Sequence, residues 1–210
     1  MRVRERVLDL LFPPKCPFCQ KILAEPRAPV CPECRPGLPW LEGAAAERQV
    51  DFADGCFSPL AYRGTVPQAV HRYKFSRVRA LGKPFAALMT QCLSDRLPEG
   101  ADLLCWAPLS KKRLRERGFD QAELLAREVG RLLSVPAGPA LKKVRDTSAR
   151  RANAQGAYSL LPGAGLTGRR VVLVDDVVTS GATLSACAAL LRQAGAERVY
   201  CLTLAQARSH

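Results

Sequence analysis

Val171–Leu184 reads VVLVDDVVTSGATL, and the order of residue types in it decides the fold. Val171–Val174 is a continuous apolar, largely β-branched run, the composition of a strand covered on both faces. Asp175 and Asp176 follow, and Val177–Thr183 then leads into a helix. Open α/β sheets bind ligands beyond the carboxyl ends of their strands, where an acidic pair can accept hydrogen bonds from the vicinal hydroxyls of a ribose. Thr179, Ser180, Gly181, Ala182 and Thr183 offer backbone amides and hydroxyls at a helix N-terminus, which suits a phosphate monoester. Gly181 permits a close approach that a Cβ would block. An ordinary capped strand–turn–helix connection explains the turn, but not two adjacent carboxylates at the end of a buried strand. A P-loop would need Gly-Lys-Ser/Thr and a dinucleotide fingerprint would need GxGxxG; neither is present.

Outward from this stretch, strands and helices alternate. We expect strands at Leu103–Pro108, Leu141–Val144, Arg170–Asp175 and Arg198–Leu204, with helices at Gly118–Leu133 and Thr183–Ala194. This order implies a parallel sheet with helices on both faces. Upstream, Cys56–Tyr62 reads as a strand, Arg63–Gly64 as a turn, and Val66–Phe75 and Leu81–Leu97 as helices. Glu42–Gln49 carries no strong order signal and is the candidate linker. The expected division is a zinc-binding region at 1–45 and an α/β domain at 50–210, itself split into 50–97 and 98–210.

The N-terminal region contains Cys16-Pro-Phe-Cys19 and Cys31-Pro-Glu-Cys34, separated by eleven residues. Two CxxC turns at this spacing can bring four thiolates into a tetrahedron around zinc. So short a region cannot bury enough apolar surface to fold alone, and a metal supplies the missing free energy. A redox CxxC would need a βαβ context that is absent here. Four cysteines leave no open coordination position, so Cys16, Cys19, Cys31 and Cys34 are expected to hold a structural zinc. Cys56, Cys92, Cys105, Cys187 and Cys201 stand singly in apolar surroundings and read as small buried hydrophobes.

The 210 residues carry 32 Lys and Arg against 19 Asp and Glu, a net charge of +13. That excess suits an anionic partner, either nucleic acid or small phosphates. Lys111, Lys112, Arg113, Arg115 and Arg117 fall within seven residues, and Lys142–Arg151 carries five more cations. A solvated basic face gives the same pattern. Aromatic residues make up 6%, too few for a strong base-stacking platform, so nucleic-acid contact would rest on backbone electrostatics. No apolar run approaches the roughly 20 residues of a membrane span. MRVRERVLDLLFPP lacks the length and cleavage site of a signal peptide; it reads as a short amphipathic helix stopped at Pro13–Pro14, and the chain is expected to be cytoplasmic.

VVLVDDVVTSGATL resembles the phosphoribosyl pyrophosphate loop of type I phosphoribosyltransferases. Together with the CxxC pairs, the chain resembles the ComF family, whose ComFC-type members are associated with natural transformation. LLFPPKCPFC, the YKF of HRYKFSRVRALGK, RERGFDQAELLA and KVRDT…N..G.Y extend the resemblance over most of the sequence.

The resemblance implies that Asp175 and Asp176 hold the ribose hydroxyls and that Thr179, Ser180, Gly181, Ala182 and Thr183 cradle the 5′-phosphate. Ser110–Lys111–Lys112 would be the pyrophosphate loop, with Lys111 and Lys112 stabilising the departing charge, and Arg113, Arg117 and Gln121 as lesser site candidates. It implies Mg²⁺ as cofactor beside the structural zinc. Residues 50–97 would form a hood, in which Tyr62, His71, Tyr73 and Phe75 lie where such folds cover a base. Implied partners are phosphoribosyl pyrophosphate or a related phosphosugar, single-stranded DNA and a competence helicase. Two positions depart from the family: Asp120 stands where Asn is usual, and Arg145–Asn153 is shortened. That segment supplies the loop closing over the pyrophosphate, and a short loop excludes water less well. Ligand binding is therefore the first expectation, and transferase activity toward a nucleobase or related amine the alternative.

Overall fold

A computed structural model describes residues 13–75, 78–145 and 156–207. The helix expected before Pro13 and all of the shortened segment after Arg145 lie outside them. Eight strands are placed among the described residues: β1 (Glu47–Arg48), β2 (Gly55–Phe57), β3 (Leu60–Ala61), β4 (Leu103–Trp106), β5 (Leu141–Lys143), β6 (Tyr158–Leu160), β7 (Arg170–Val178) and β8 (Arg198–Gln206). Five α-helices accompany them: α1 (Val66–Phe75), α2 (Gly82–Arg96), α3 (Lys111–Arg117), α4 (Gln121–Leu133) and α5 (Ala182–Gln193).

The main sheet has the order β1-β2-β8-β7-β4, with β3 also paired to β8. Its pairs are parallel except β1 with β2. The β7 centre, Val171–Val174, is fully buried, as the apolar run requires. α1, α2 and α4 cover one face of the sheet, and α5 covers the other. The five isolated cysteines are all buried. No helix among the described residues is long and apolar enough to cross a membrane.

Four expectations change in detail. The strand expected at Cys56–Tyr62 breaks into β2 and β3 at Ser58–Pro59, where proline has no amide for the ladder. There the buried Ser58 hydroxyl instead meets Thr203 Oγ1 at 2.7 Å. β5 leaves the main sheet and pairs antiparallel with β6. The candidate linker is ordered: Gly43–Ala46 forms a 3₁₀ turn and Ala46 is buried. The end of β8 holds it, since Gln206 Nε2 donates to the Ala45 carbonyl at 2.6 Å. Finally, the stretch expected as a pyrophosphate loop contains α3, capped by the Ser110 hydroxyl at one end and by Gly118 at φ +79° at the other.

The cysteine-rich region is built into the core. Cys16, Phe18, Leu23, Val30, Cys31 and Leu38 belong to the same buried cluster as the inner faces of α1 and α2. The Phe18 ring lies 6.3 Å from that of Phe85 on α2.

Candidate functional site

Successive side chains on a strand point to opposite faces, and β7 runs three residues beyond Asp175. Asp175 and Asp176 therefore diverge. Asp176 turns to the α1 face, where it is buried and its Oδ1 lies 2.8 Å from Lys74 Nζ. Asp175 turns to the α5 face, and its charge reaches Tyr158 and Cys187. The Asp176 N–H donates to Asp175 Oδ1 at 2.8 Å. Burial, followed by the neighbouring Asp176 charge, pushes the Asp175 carboxyl up to about 7. Lys74 and the Asp176 amide act against that rise. Divergence, an amide and one lysine ease the repulsion between the two carboxylates without removing it.

The turn after β7 leaves Thr179 and Ser180 exposed. Gly181 is the residue before α5 and has φ +81°. Within the protein a Cβ at this position would meet only Val50 Cγ2, at 3.6 Å, so the turn itself requires glycine for its backbone angle. Ala182 and Thr183 open α5, where helix geometry leaves the first amides without intrahelical partners. Thr183 faces the Tyr158 hydroxyl, which accepts from Lys143 Nζ at 3.1 Å. Sequence reasoning did not single out Tyr158 or Lys143; their signal was the KVRDT…N..G.Y pattern, which spans the β5–β6 pair.

Lys111 and Lys112 are exposed on the first turn of α3, beyond β4, the neighbour of β7. Ser110 is buried, and its hydroxyl accepts from the Arg113 N–H at 3.3 Å. Asp120 joins this segment to α4. Its Oδ2 accepts from Leu109 N–H at 2.9 Å, and its Oδ1 from Ala122 and Glu123 at 3.0 and 3.2 Å. Both oxygens are acceptors, a role that the amide of Asn fills with only one. Gln121 is buried and accepts from Arg117 Nη1 at 2.8 Å, a contact that positions α3 against α4.

The four aromatic residues expected in the hood separate. Tyr73 is core: fully buried, it donates to the Gln121 carbonyl at 3.0 Å and meets Phe85 and Phe119 edge-on. Tyr62 is partly buried. His71 and Phe75 are exposed with ring centroids 4.7 Å apart, and the Arg117 guanidinium lies 5.1 Å from the Phe75 centroid.

The ligand atoms of Cys16, Cys19, Cys31 and Cys34 all lie within 4.8 Å of one another. The Cys19 and Cys31 sulfurs are 3.6 Å apart, against about 3.8 Å for the edge of a zinc–thiolate tetrahedron. The donor set fits zinc and closes the coordination sphere, so the site is structural. Arg72, also missed in the sequence, donates from Nη2 to the carbonyls of Pro17 (2.6 Å) and Phe18 (3.1 Å), between the first two cysteines.

Residues 116–210 match the family model described as phosphoribosyl transferase domain, and residues 7–48 match the double zinc ribbon domain. The chain is thus a type I phosphoribosyltransferase fold carrying an N-terminal zinc ribbon. It is 31% identical over 204 residues to the DNA utilization protein YhgH of Escherichia coli O157:H7, covering 89% of this chain and 82% of that one. It is 32% identical over 155 residues to Competence protein F of Haemophilus influenzae, 66% of each chain. With Competence protein ComFC of Bacillus subtilis it shares 26% identity over 208 residues, 90% of this chain and 83% of the relative. The chain belongs to this competence protein F, ComFC and YhgH family.

Proposed function

We propose that this protein binds phosphoribosyl pyrophosphate with Mg²⁺ at the end of β7, and serves in handling internalised single-stranded DNA during natural transformation. The observation that carries the ligand is the pair Asp175 and Asp176 followed by the Thr179–Thr183 turn, at the carboxyl end of a buried central strand. Asp175 and Asp176 take the ribose hydroxyls. Thr179, Ser180, Gly181, Ala182 and Thr183 take the 5′-phosphate through amides and hydroxyls at the start of α5. Lys111 and Lys112 supply positive charge for the pyrophosphate. Mg²⁺ is held in such sites by one or two carboxylates together with substrate phosphates; as the two side chains face opposite sides and Asp176 is paired with Lys74, Asp175 is the carboxylate that would hold it, and the ion would offset the charge of the pyrophosphate. In this reading residues 1–45 are the zinc-bearing part, 50–97 the hood and 98–210 the core.

The DNA role is supported by relatives named for competence and DNA utilization, and by the net charge of +13. In this reading the protein works in the cytoplasm, with a competence helicase as its partner. Binding through basic residues predicts that affinity for single-stranded DNA falls steeply with salt; a flat response from low to moderate salt removes the nucleic-acid part. One observation favours catalysis as a second reading: the exposed His71–Phe75–Arg117 cluster, next along α1 from Lys74, offers an aromatic face to an acceptor base.

Calorimetric titration with phosphoribosyl pyrophosphate and Mg²⁺, on wild type and on Asp175→Ala/Asp176→Ala, tests the central claim. Binding by wild type and its loss in the double variant are expected; no binding by wild type refutes it. Pyrophosphate release on adding nucleobases would make the protein a transferase, and saturable binding without release a binding protein.

A further inference from the structure

Lys74 is a cation already paired with the acidic residues of the site. Its ammonium sits 2.8 Å from Asp176 Oδ1, with the lysine side chain about one-fifth exposed and that of the aspartate one-tenth. An ammonium has three donors and no acceptor, so its contact with Asp176 leaves donors for a second oxygen. α1 places the lysine firmly: Tyr73 on one side of it is locked in the core by its hydrogen bond to Gln121, and Arg72 grips the ribbon.

The strand end divides the site into two sides. Asp175, Tyr158 and Thr183 lie on the α5 side with the phosphate turn. Asp176 and Lys74 lie on the α1 side. A ribose whose 5′-phosphate rests in the turn on the α5 side, with its hydroxyls on the acidic pair, directs its C1 end away from that turn.

We propose that Lys74 is a further binding residue of this site, holding Asp176 when no ligand is bound and donating to the C1 diphosphate of a phosphosugar when one is. The inference rests on the phosphosugar reading above. It adds a cation from α1 to those of α3, and it makes the site selective for a ligand with an anionic group at C1.

The test compares phosphoribosyl pyrophosphate with ribose 5-phosphate on the full chain loaded with zinc, by calorimetric titration in Mg²⁺. Lys74→Gln keeps a hydrogen-bond donor for Asp176 but removes the charge, and Lys74→Arg keeps the charge. Zinc content and melting temperature report on the fold of each variant. The Gln variant is expected to bind the pyrophosphate ligand about tenfold or more weakly, the range of one charge-assisted hydrogen bond. Its affinity for ribose 5-phosphate should change less than about twofold, and Lys74→Arg should recover much of the loss. An equal loss for both ligands reduces Lys74 to a counter-ion of Asp176 and overturns the proposal, as does no loss for either. Wild type binding neither ligand overturns the phosphosugar reading itself.

Discussion

Arg72→Met isolates the contact that joins the zinc ribbon to the sheet. One guanidinium nitrogen of Arg72 serves both the Pro17 and the Phe18 carbonyls, at 2.6 and 3.1 Å, and its Nε is buried without a partner. Hydrogen bonds to charged groups contribute about 1.5–3 kcal/mol each. Because one nitrogen is shared between two acceptors, we take the pair together as about 2–4 kcal/mol. In a domain of this size each kcal/mol moves the melting temperature by about 2–4 °C, so the variant should melt roughly 4–16 °C lower. Zinc affinity is coupled to ribbon folding, so the same change should speed zinc release to a competing chelator. Scanning calorimetry and a colorimetric zinc indicator measure the two effects. Arg72→Lys should fall between, since an ammonium keeps the charge but not the planar fork. A Met variant that melts within about 2 °C of wild type and releases zinc at the same rate would refute the view that Arg72 couples ribbon and α1.

Three further outcomes follow from single sites. Burial raises the Asp54 carboxyl, but the Val199 N–H and the Arg192 and Arg198 guanidinia outweigh it and hold the group below the usual range. A lowered folded value gives stability that is present above the unfolded value of about 3.9 and lost as pH falls through the folded one. Urea midpoints should therefore drop more steeply below about pH 4 in wild type than in Asp54→Asn; parallel curves would contradict this. Gly130→Ala on α4 would normally gain up to about 1 kcal/mol of helix propensity. Its Cβ would stand 2.6 Å from the Val135 carbonyl oxygen and 3.2 Å from the Ala137 Cβ, and overpacking costs about 1–3 kcal/mol. Denaturant midpoints should fall, and a rise would show that the α4–β5 connection yields freely. Removing zinc should release Phe18 from Phe85 and raise the binding of a hydrophobic dye; unchanged dye binding would mean that the ribbon holds its packing without metal.

The fold was legible where hydrophobic periodicity was strong. Val66–Phe75 is a helix with the expected bounds, and β7, β8, α4 and α5 lie within a few residues of expectation. α3 escaped because KKRLRER has only Leu114 as an apolar residue, so no stripe marks it; its signals were the Ser110 and Gly118 caps. The strand, the acidic pair and the turn before a helix were legible in the order of residue types; the opposed directions of the two carboxylates follow from strand alternation. The helical spacing of Val66, Ala69, Val70 and Tyr73 would likewise have placed Tyr73 in the core and turned Phe75 outward. Lys74 and Arg72 were not legible as partners of Asp176 and Pro17, because the first contact spans 102 residues of chain and the second 55. Only the sheet order and the packing of α1 bring them together.

Those two contacts link the zinc ribbon to the acidic strand through one helix. On α1, Arg72, Tyr73, Lys74 and Phe75 step around the helix by about 100° each. In order they reach the zinc turn, the core, Asp176 and the exposed face beside Arg117. Without the ribbon, Arg72 would lose its acceptors, and Phe85 would lose the ring that packs on it. α1 would then be held by Tyr73 and its apolar stripe alone, and the lysine opposite Asp176 would be less fixed. A metal with no open coordination position therefore still bears on the candidate site, because it helps to fix the helix that carries Lys74 to Asp176.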